Sequence, residues 1–292
     1  MQNTLFIVTS ENFSFRATVY SHGWCELAPF DLDLENWRLG YIFRDKKNQA
    51  VPAVISEEEG KIRIELSSAK VDAEDIIADT RHLLRLDDDL AGFYDSIIGH
   101  DRLNWVGERR AGRMLRSASV FEDLVKTICT TNCSWALTKS MVSNLVEKLG
   151  TAAASGKKAF PTPEAMASVS SDFYREQVRT GYRSPYFVEL ADAVASGKLN
   201  PQDWLTSDLP TAELKKEMKK VKGVGDYAAE NLLKLVGRYD GLALDSWLRS
   251  QFYKNHNNDK PCPDKKIERY YKEFGSWRGL VIWCDMTEKW VS

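Results

Sequence analysis

The spacing of apolar residues changes partway along this 292-residue chain, and that change limits the fold more than any other feature. Before about residue 110, apolar side chains recur at every second position: Phe13, Phe15, Ala17 and Val19 in one run, Ile62, Ile64 and Leu66 in another. A period of two places such side chains on one face of a strand. The segments DKKNQ (45–49), after Tyr41 and Phe43, and EEEG (57–60), between VPAVI and KIRIEL, read as turns. An antiparallel sheet results. Its apolar face needs a cover, and the helical pattern from about 72 to 99 can supply one. After residue 110 the period lengthens to that of helices. Ser119-x-x-Glu122 has the form of a capping box before FEDLVKTI. A helix over about 135–149 ends at Gly150, and Thr162-Pro163 is an N-cap followed by an N1 proline. Further helical runs cover about 185–196, 211–220, 226–237, 246–255 and 264–274, and TAAASGKKA (151–159) reads as a loop. The expected class is α+β: an antiparallel sheet domain with covering helices over 1–110, then a helical region over 111–292.

Composition narrows the chemistry. No run of about 18 apolar residues occurs, so no membrane-spanning helix is expected. The first residues, MQNTLFIVTSENF, lack a basic stretch and a long apolar core, and do not read as a secretory signal. Cys25, Cys129, Cys133, Cys262 and Cys284 are an odd number without framework spacing, which fits a reducing compartment. Cys129 and Cys133 stand at helical spacing and read as structural thiols. There is no CxxC and no HExxH, so zinc and iron–sulfur sites are not expected. These features together suggest a cytoplasmic, prokaryotic protein. The net charge of −2 is unevenly divided: −7 over residues 1–110 and +5 over 111–292. Only the later part is suited to a phosphate backbone.

Two segments carry candidate chemistry. In MKKVKGVGDYAAENLLKLV (218–236), a basic helix end runs into Gly223-Val224-Gly225, and a second helix starts near Asp226. Glycines on both sides of one apolar residue permit a tight turn with exposed N–H groups. With the following helix N-terminus these make a site for a phosphate, with Val224 as the anchor in the core. Lys219, Lys220 and Lys222 add non-specific attraction. The plainer reading is a helix corner with no ligand. In LALDSWLRSQF (242–252), a strand-like stub, Leu242-Ala243-Leu244, delivers Asp245 to a helix start. Asp245 reads either as an N-cap or as a carboxylate at a cleft mouth. In the second role it would stabilise positive charge on a sugar, or orient water, as a glycosidic bond breaks.

KGVGDYAAENLL followed about twenty residues later by ALDSWLR resembles the helix-hairpin-helix, Gly/Pro…Asp superfamily of DNA glycosylases. AFPTPEAMASV resembles a segment of the 3-methyladenine DNA glycosylase II branch. ICTTNCSWALTKSMVSNLVEKLG and RTGYRSPYFVELADAV look like the 8-oxoguanine DNA glycosylase branch, and FGSWRGLVIWCDM resembles the closing helix of both. The resemblance covers roughly 115–290. It implies a two-part helical domain with a cleft between the parts and a helix-hairpin-helix at about 212–237. It also implies a hairpin of Gly223, Val224 and Gly225, with Lys222 beside it, gripping the DNA backbone. In the superfamily a monovalent cation often sits on main-chain carbonyls there, and no other cofactor is implied. Asp245 carries over as the catalytic carboxylate. Asn132, Tyr182 and Arg183 match residues that fill or wedge the gap left by an extruded nucleotide. Asn132 also reads as a helix cap, and Tyr182 and Arg183 as a loop turn at Gly181. Trp283 matches an aromatic of the base pocket and Trp247 is a second candidate wall, though both suit a core.

Bifunctional members carry a lysine two residues after the second glycine. Here that position is Tyr227, which cannot form an imine. A monofunctional hydrolase is therefore expected, with Tyr227 stacking on the flipped base or packed in the core. Alkylated purines such as 3-methyladenine and 7-methylguanine are the expected lesions, because cationic bases leave readily and suit aromatic walls. The alternatives are an 8-oxoguanine glycosylase/lyase using a displaced lysine, or a non-catalytic DNA clamp. The expected partner is damaged double-stranded DNA, bound by a monomer at the nucleoid.

Overall fold

The computed structural model describes residues 3–67 and 71–291. Five strands form one antiparallel sheet: β1 (Asn3–Val8), β2 (Asp31–Asp33), β3 (Arg38–Arg44), β4 (Ala50–Glu58) and β5 (Lys61–Leu66), in the order β1-β5-β4-β3-β2. The 45–49 and 57–60 segments make the two hairpins expected of them. Leu39 faces Ile55 and Ile55 faces Ile64 across the ladder, so the buried residues of three strands, Ile42 excepted, share one face.

Phe13–Val19 is not a strand. It holds a short helix, α1 (Phe15–Val19), capped by Ser14, whose Oγ accepts from Ala17 N at 3.3 Å. Arg16 is exposed, but Thr18 is as buried as Ala17 and Val19 on either side of it, so burial does not follow the alternation through the segment. The expected cover of 72–99 is two helices, α2 (Ala73–Leu84) and α3 (Ala91–Ser96). Arg85 takes a left-handed backbone, φ 55°, and ends α2.

A short helix, α4 (Asn104–Glu108), leads to the helical part. Its centre is α5 (Val120–Thr130), buried from Val120 to Cys129. Ser119 Oγ accepts from Glu122 N at 3.2 Å, which is half of the expected capping box. The Glu122 carboxylate does not turn back. It accepts from Tyr41 on β3 at 2.8 Å and from Lys126 at 2.6 Å, tying sheet to helix through a paired buried charge. Around α5 lie α6 (Trp135–Leu149), α7 (Pro163–Ala167), α8 (Ser171–Phe173) and α9 (Ser184–Ala195). Thr162 caps α7 with Pro163 in its first turn, and Gly150 ends α6. The chain continues through α10 (Thr211–Met218), α11 (Asp226–Leu235), α12 (Ser246–His256), α13 (Asp264–Tyr270) and α14 (Arg278–Val291). The helix expected over 264–274 divides after Tyr270, where a 3-10 segment carries Gly275 at φ 55°. No helix among the described residues is long and apolar enough to cross a membrane.

Candidate active site

Helix α11 is the organising element. Its Tyr227, Asn231 and Leu235 recur at i, i+4 and i+8, so they share a face, and all three line a cleft of about 750 Å³. Asp245, Ser246 and Trp247 join them from the start of α12, and Trp283, Lys289 and Trp290 from α14. Thr127 and Thr130 of α5, with Cys133 and Trp135, close another side. The segment after α1 contributes Tyr20, His22, Trp24 and Glu26. The cleft is thus built from both parts of the sequence. Asp245, Tyr227, Trp247 and Trp283, expected as catalyst and pocket, meet in one space.

Asp245 is the N-cap of α12. Its Oδ1 accepts from Leu248 N at 2.7 Å. The cap engages one oxygen of a carboxylate that has two. The stub before it is irregular backbone rather than strand. Ala243 sits at φ 52°, in the left-handed region, and α11 holds it there. Ala243 N donates to Glu230 Oε2 at 2.5 Å, and Lys234 Nζ donates to the Leu242 carbonyl at 3.2 Å. Two side chains of α11 therefore set the backbone that presents Asp245.

Tyr227 is half-buried. Burial and the nearby Asp245 charge push its phenol up to about 12, so it stays protonated at neutral pH. Trp247, Trp283 and Trp290 form a cluster, with ring centroids 5.0–6.1 Å apart. Trp283 is fixed by donating to the Ser21 carbonyl at 2.9 Å. Lys234 is fully buried, and burial lowers its ammonium to about 8. It stands behind the cleft wall. Lys289 is the only lysine lining the cleft among the described residues.

The hairpin lies at the N-terminal end of α11. Val224 is buried, and Val224 N donates to the Val221 carbonyl at 3.1 Å. Gly223 has φ +89°, and a Cβ there would stand 2.9 Å from Tyr186 of α9. A Cβ on Gly225 would meet nothing within 4 Å, so that backbone is open to approach. The lysines expected to attract phosphate are engaged at the surface: Lys222 with Glu189, Lys220 with Glu217, and Lys219 with Asp226. Exposed pairs of this kind are weak and exchange readily.

Asn132 and Tyr182 come together on the surface, Asn132 Nδ2 donating to the Tyr182 hydroxyl at 3.4 Å. Asn132 has φ 47° and joins α5 to α6, while Ser134, not Asn132, caps α6. The Tyr182 ring lies 6.1 Å from Tyr186, which packs on Gly223, so these residues connect to the hairpin. Arg183 is placed differently. It is 3% exposed, and its guanidinium donates to the carbonyls of Ile128 and Thr131 at the end of α5. Its role in this structure is to hold α5 and the Tyr182 turn together, not to reach outward. The sequence reading missed His22, Trp24, Thr127, Trp135, Asn231, Lys289 and Trp290. Asn231 and Trp290 had a signal, being i+4 from Tyr227 and i+7 from Trp283. No metal-binding cluster occurs among the described residues.

No family model matches the chain, and no curated protein matches its sequence. Solved structures do match in fold. A 3-methyladenine DNA glycosylase from Archaeoglobus fulgidus superposes with a TM-score of 0.77 at 18% identity, covering 98% of each chain. An 8-oxoguanine glycosylase/lyase from Clostridium acetobutylicum, in complex with double-stranded DNA, gives 0.75 at 19% identity. That match covers 99% of this chain and 97% of the other. A DNA-3-methyladenine glycosidase from Bacillus halodurans gives 0.52 at 20% identity, over 68% of this chain and 89% of that one. These structural neighbours are DNA glycosylases of the 3-methyladenine and 8-oxoguanine types, and this chain shares their fold.

Proposed function

We propose that this protein is a monofunctional DNA glycosylase, which binds damaged double-stranded DNA, receives a flipped base in the cleft and hydrolyses its N-glycosidic bond. One observation carries the reading: the Asp245 carboxylate and the Tyr227, Trp247 and Trp283 rings line one cleft, beside a hairpin whose Gly225 backbone is open. In this scheme the turn N–H groups and the N-terminus of α11 hold a phosphate. Asn132 and Tyr182 occupy the gap in the duplex, and the aromatic walls offset the cost of unstacking, a few kcal/mol. Asp245 stabilises the cationic sugar as the bond breaks and orients the attacking water. A monovalent cation would rest on turn carbonyls near Gly223, where the Val221 carbonyl already accepts from Val224 N. Alkylated purines are the first substrates to test, since tryptophan and tyrosine faces favour positively charged rings.

The second reading, glycosylase with lyase activity, has one observation in its favour: Lys289 is among the residues that line the cleft. Against it, Tyr227 occupies the position expected of a Schiff-base lysine, and Lys234 is buried. The test is base release from duplexes carrying 3-methyladenine, 7-methylguanine, hypoxanthine, uracil or 8-oxoguanine, with borohydride added to parallel reactions. Free base without a covalent adduct is expected. An adduct lost in Lys289→Gln establishes the lyase instead, and binding without release of any base establishes a clamp.

A further inference from the structure

His22 lines the cleft, yet neither the hairpin nor Asp245 accounts for it. Its Nδ1 lies 2.8 Å from Ser21 Oγ, and that oxygen accepts from Leu115 N at 2.9 Å. A serine hydroxyl has one proton and two lone pairs. With one lone pair facing Leu115 N–H, the proton is available to His22 Nδ1. When the hydroxyl donates to Nδ1, the neutral ring carries its proton on Nε2. Nε2 is shielded from solvent and has no hydrogen-bond partner among the described residues. In that tautomer Nε2 is a buried donor left unpaired, which is costly, and such groups call for a functional reason. Thr127 Oγ1, on the same cleft, is unpaired in the same way.

The ring is also held in place. It packs 4.7 Å from Trp24, whose Nε1 donates to Asp123 at 2.8 Å. Trp283 binds the Ser21 carbonyl on the same short segment. Burial keeps the imidazole neutral, pushing it down to about 3, with Arg85, Lys126 and Lys234 acting in the same direction.

We propose that His22 Nε2–H is a specificity-determining donor that reads a carbonyl oxygen on the flipped base, selecting carbonyl-bearing purines over those whose exocyclic group is an amine. This rests on the excision reading above and narrows it. Within alkylated purines it favours 7-methylguanine over 3-methyladenine. It also admits 8-oxoguanine and hypoxanthine.

The test uses methylated duplex DNA, from which both alkylated bases are released in one tube and separated by chromatography. His22→Phe keeps a ring against Trp24 and removes the donor. The expected result is a 10- to 100-fold fall in the ratio of 7-methylguanine to 3-methyladenine release. His22→Gln, which restores an N–H, regains part of the ratio. A ratio is insensitive to the fraction of protein folded. An unchanged ratio in active His22→Phe protein overturns the assignment and leaves the excision reading standing. A wild-type protein inert on every duplex overturns the excision reading, and this assignment with it.

Discussion

At the scale of the single residue, Asp245 has an observed role and a proposed one, and substitution can separate them. As a cap it accepts from Leu248 N, and asparagine caps a helix as well as aspartate does. In the proposed excision it needs its negative charge. Asp245→Asn is therefore expected to keep folding stability within about 0.5 kcal/mol while slowing base release about 10²- to 10⁴-fold. Asp245→Ala is expected to lose about 1 kcal/mol as well, because the cap goes with the charge. Urea unfolding and single-turnover release measure the two effects. Full release by Asp245→Asn would remove this residue from the chemistry. Asp245, Tyr227, Trp247 and Trp283 were legible in the sequence through the resemblance carried by their segments, and the structure brings the four to one cleft. His22 was not. Its unpaired nitrogen depends on Ser21 meeting Leu115, a contact between residues 94 positions apart that no local pattern announces.

At the scale of the element, α11 combines several functions in three turns. The hairpin lies at its start, its Tyr227 face lines the cleft, and Glu230 and Lys234 hold the backbone before Asp245. Its C-terminal carbonyls at Lys234 and Leu235 accept from the buried Arg85 and Arg116, cations placed where the helix dipole favours them. The sequence disclosed the length of α11 and its glycine entry, since both follow from spacing. It could not disclose the arginine caps, which come from a separate stretch of chain. The strand expected over 13–19 failed for a related reason: Ser14 caps a helix there, and Ala17, Thr18 and Val19 are buried in succession, so the alternation of apolar residues marks no strand face. The two hairpin glycines make a paired prediction. Gly223→Ala places a side chain at φ +89° against Tyr186, so a stability loss of about 1–3 kcal/mol is expected. Gly225→Ala meets open space at φ −86°, so its loss should be at most about 1 kcal/mol. Its new methyl would nevertheless stand where a phosphate approaches the backbone, and a roughly tenfold weaker duplex affinity is expected. Thermal melts and a binding titration at fixed salt distinguish the two variants. Unchanged affinity in Gly225→Ala would move the DNA contact away from the hairpin.

At the scale of the whole molecule, the sheet segment and the helices share one site, and the charge at their junction sets how stability responds to pH. Lys234 is surrounded by groups from several elements: Glu230 on its own helix, Asp245 before α12, Cys284 on α14 and His22 after α1. Burial outweighs the favourable carboxylates and lowers its ammonium from 10.5 to about 8. Below pH 8 both the folded and unfolded chains hold this proton, and the folded chain bears the full desolvation cost. Between pH 8 and 10.5 the unfolded chain binds more protons, so this group makes stability rise with pH, by about 3 kcal/mol across the window. Cys25, Cys129 and Cys284, each pushed up to about 12 by burial, act in the opposite direction above pH 9. Raw curves therefore mix the two effects, and the difference between wild type and Lys234→Met isolates the lysine. That difference is expected to shift toward wild type by about 3 kcal/mol from pH 8 to 10.5, whatever its value at pH 7. The value at pH 7 balances removal of a buried charge against a Leu242 carbonyl left without its donor. Urea midpoints at half-unit pH steps make the measurement. A constant difference across that window would show that Lys234 keeps its proton in the folded protein, and the junction would then be better solvated than its packing implies.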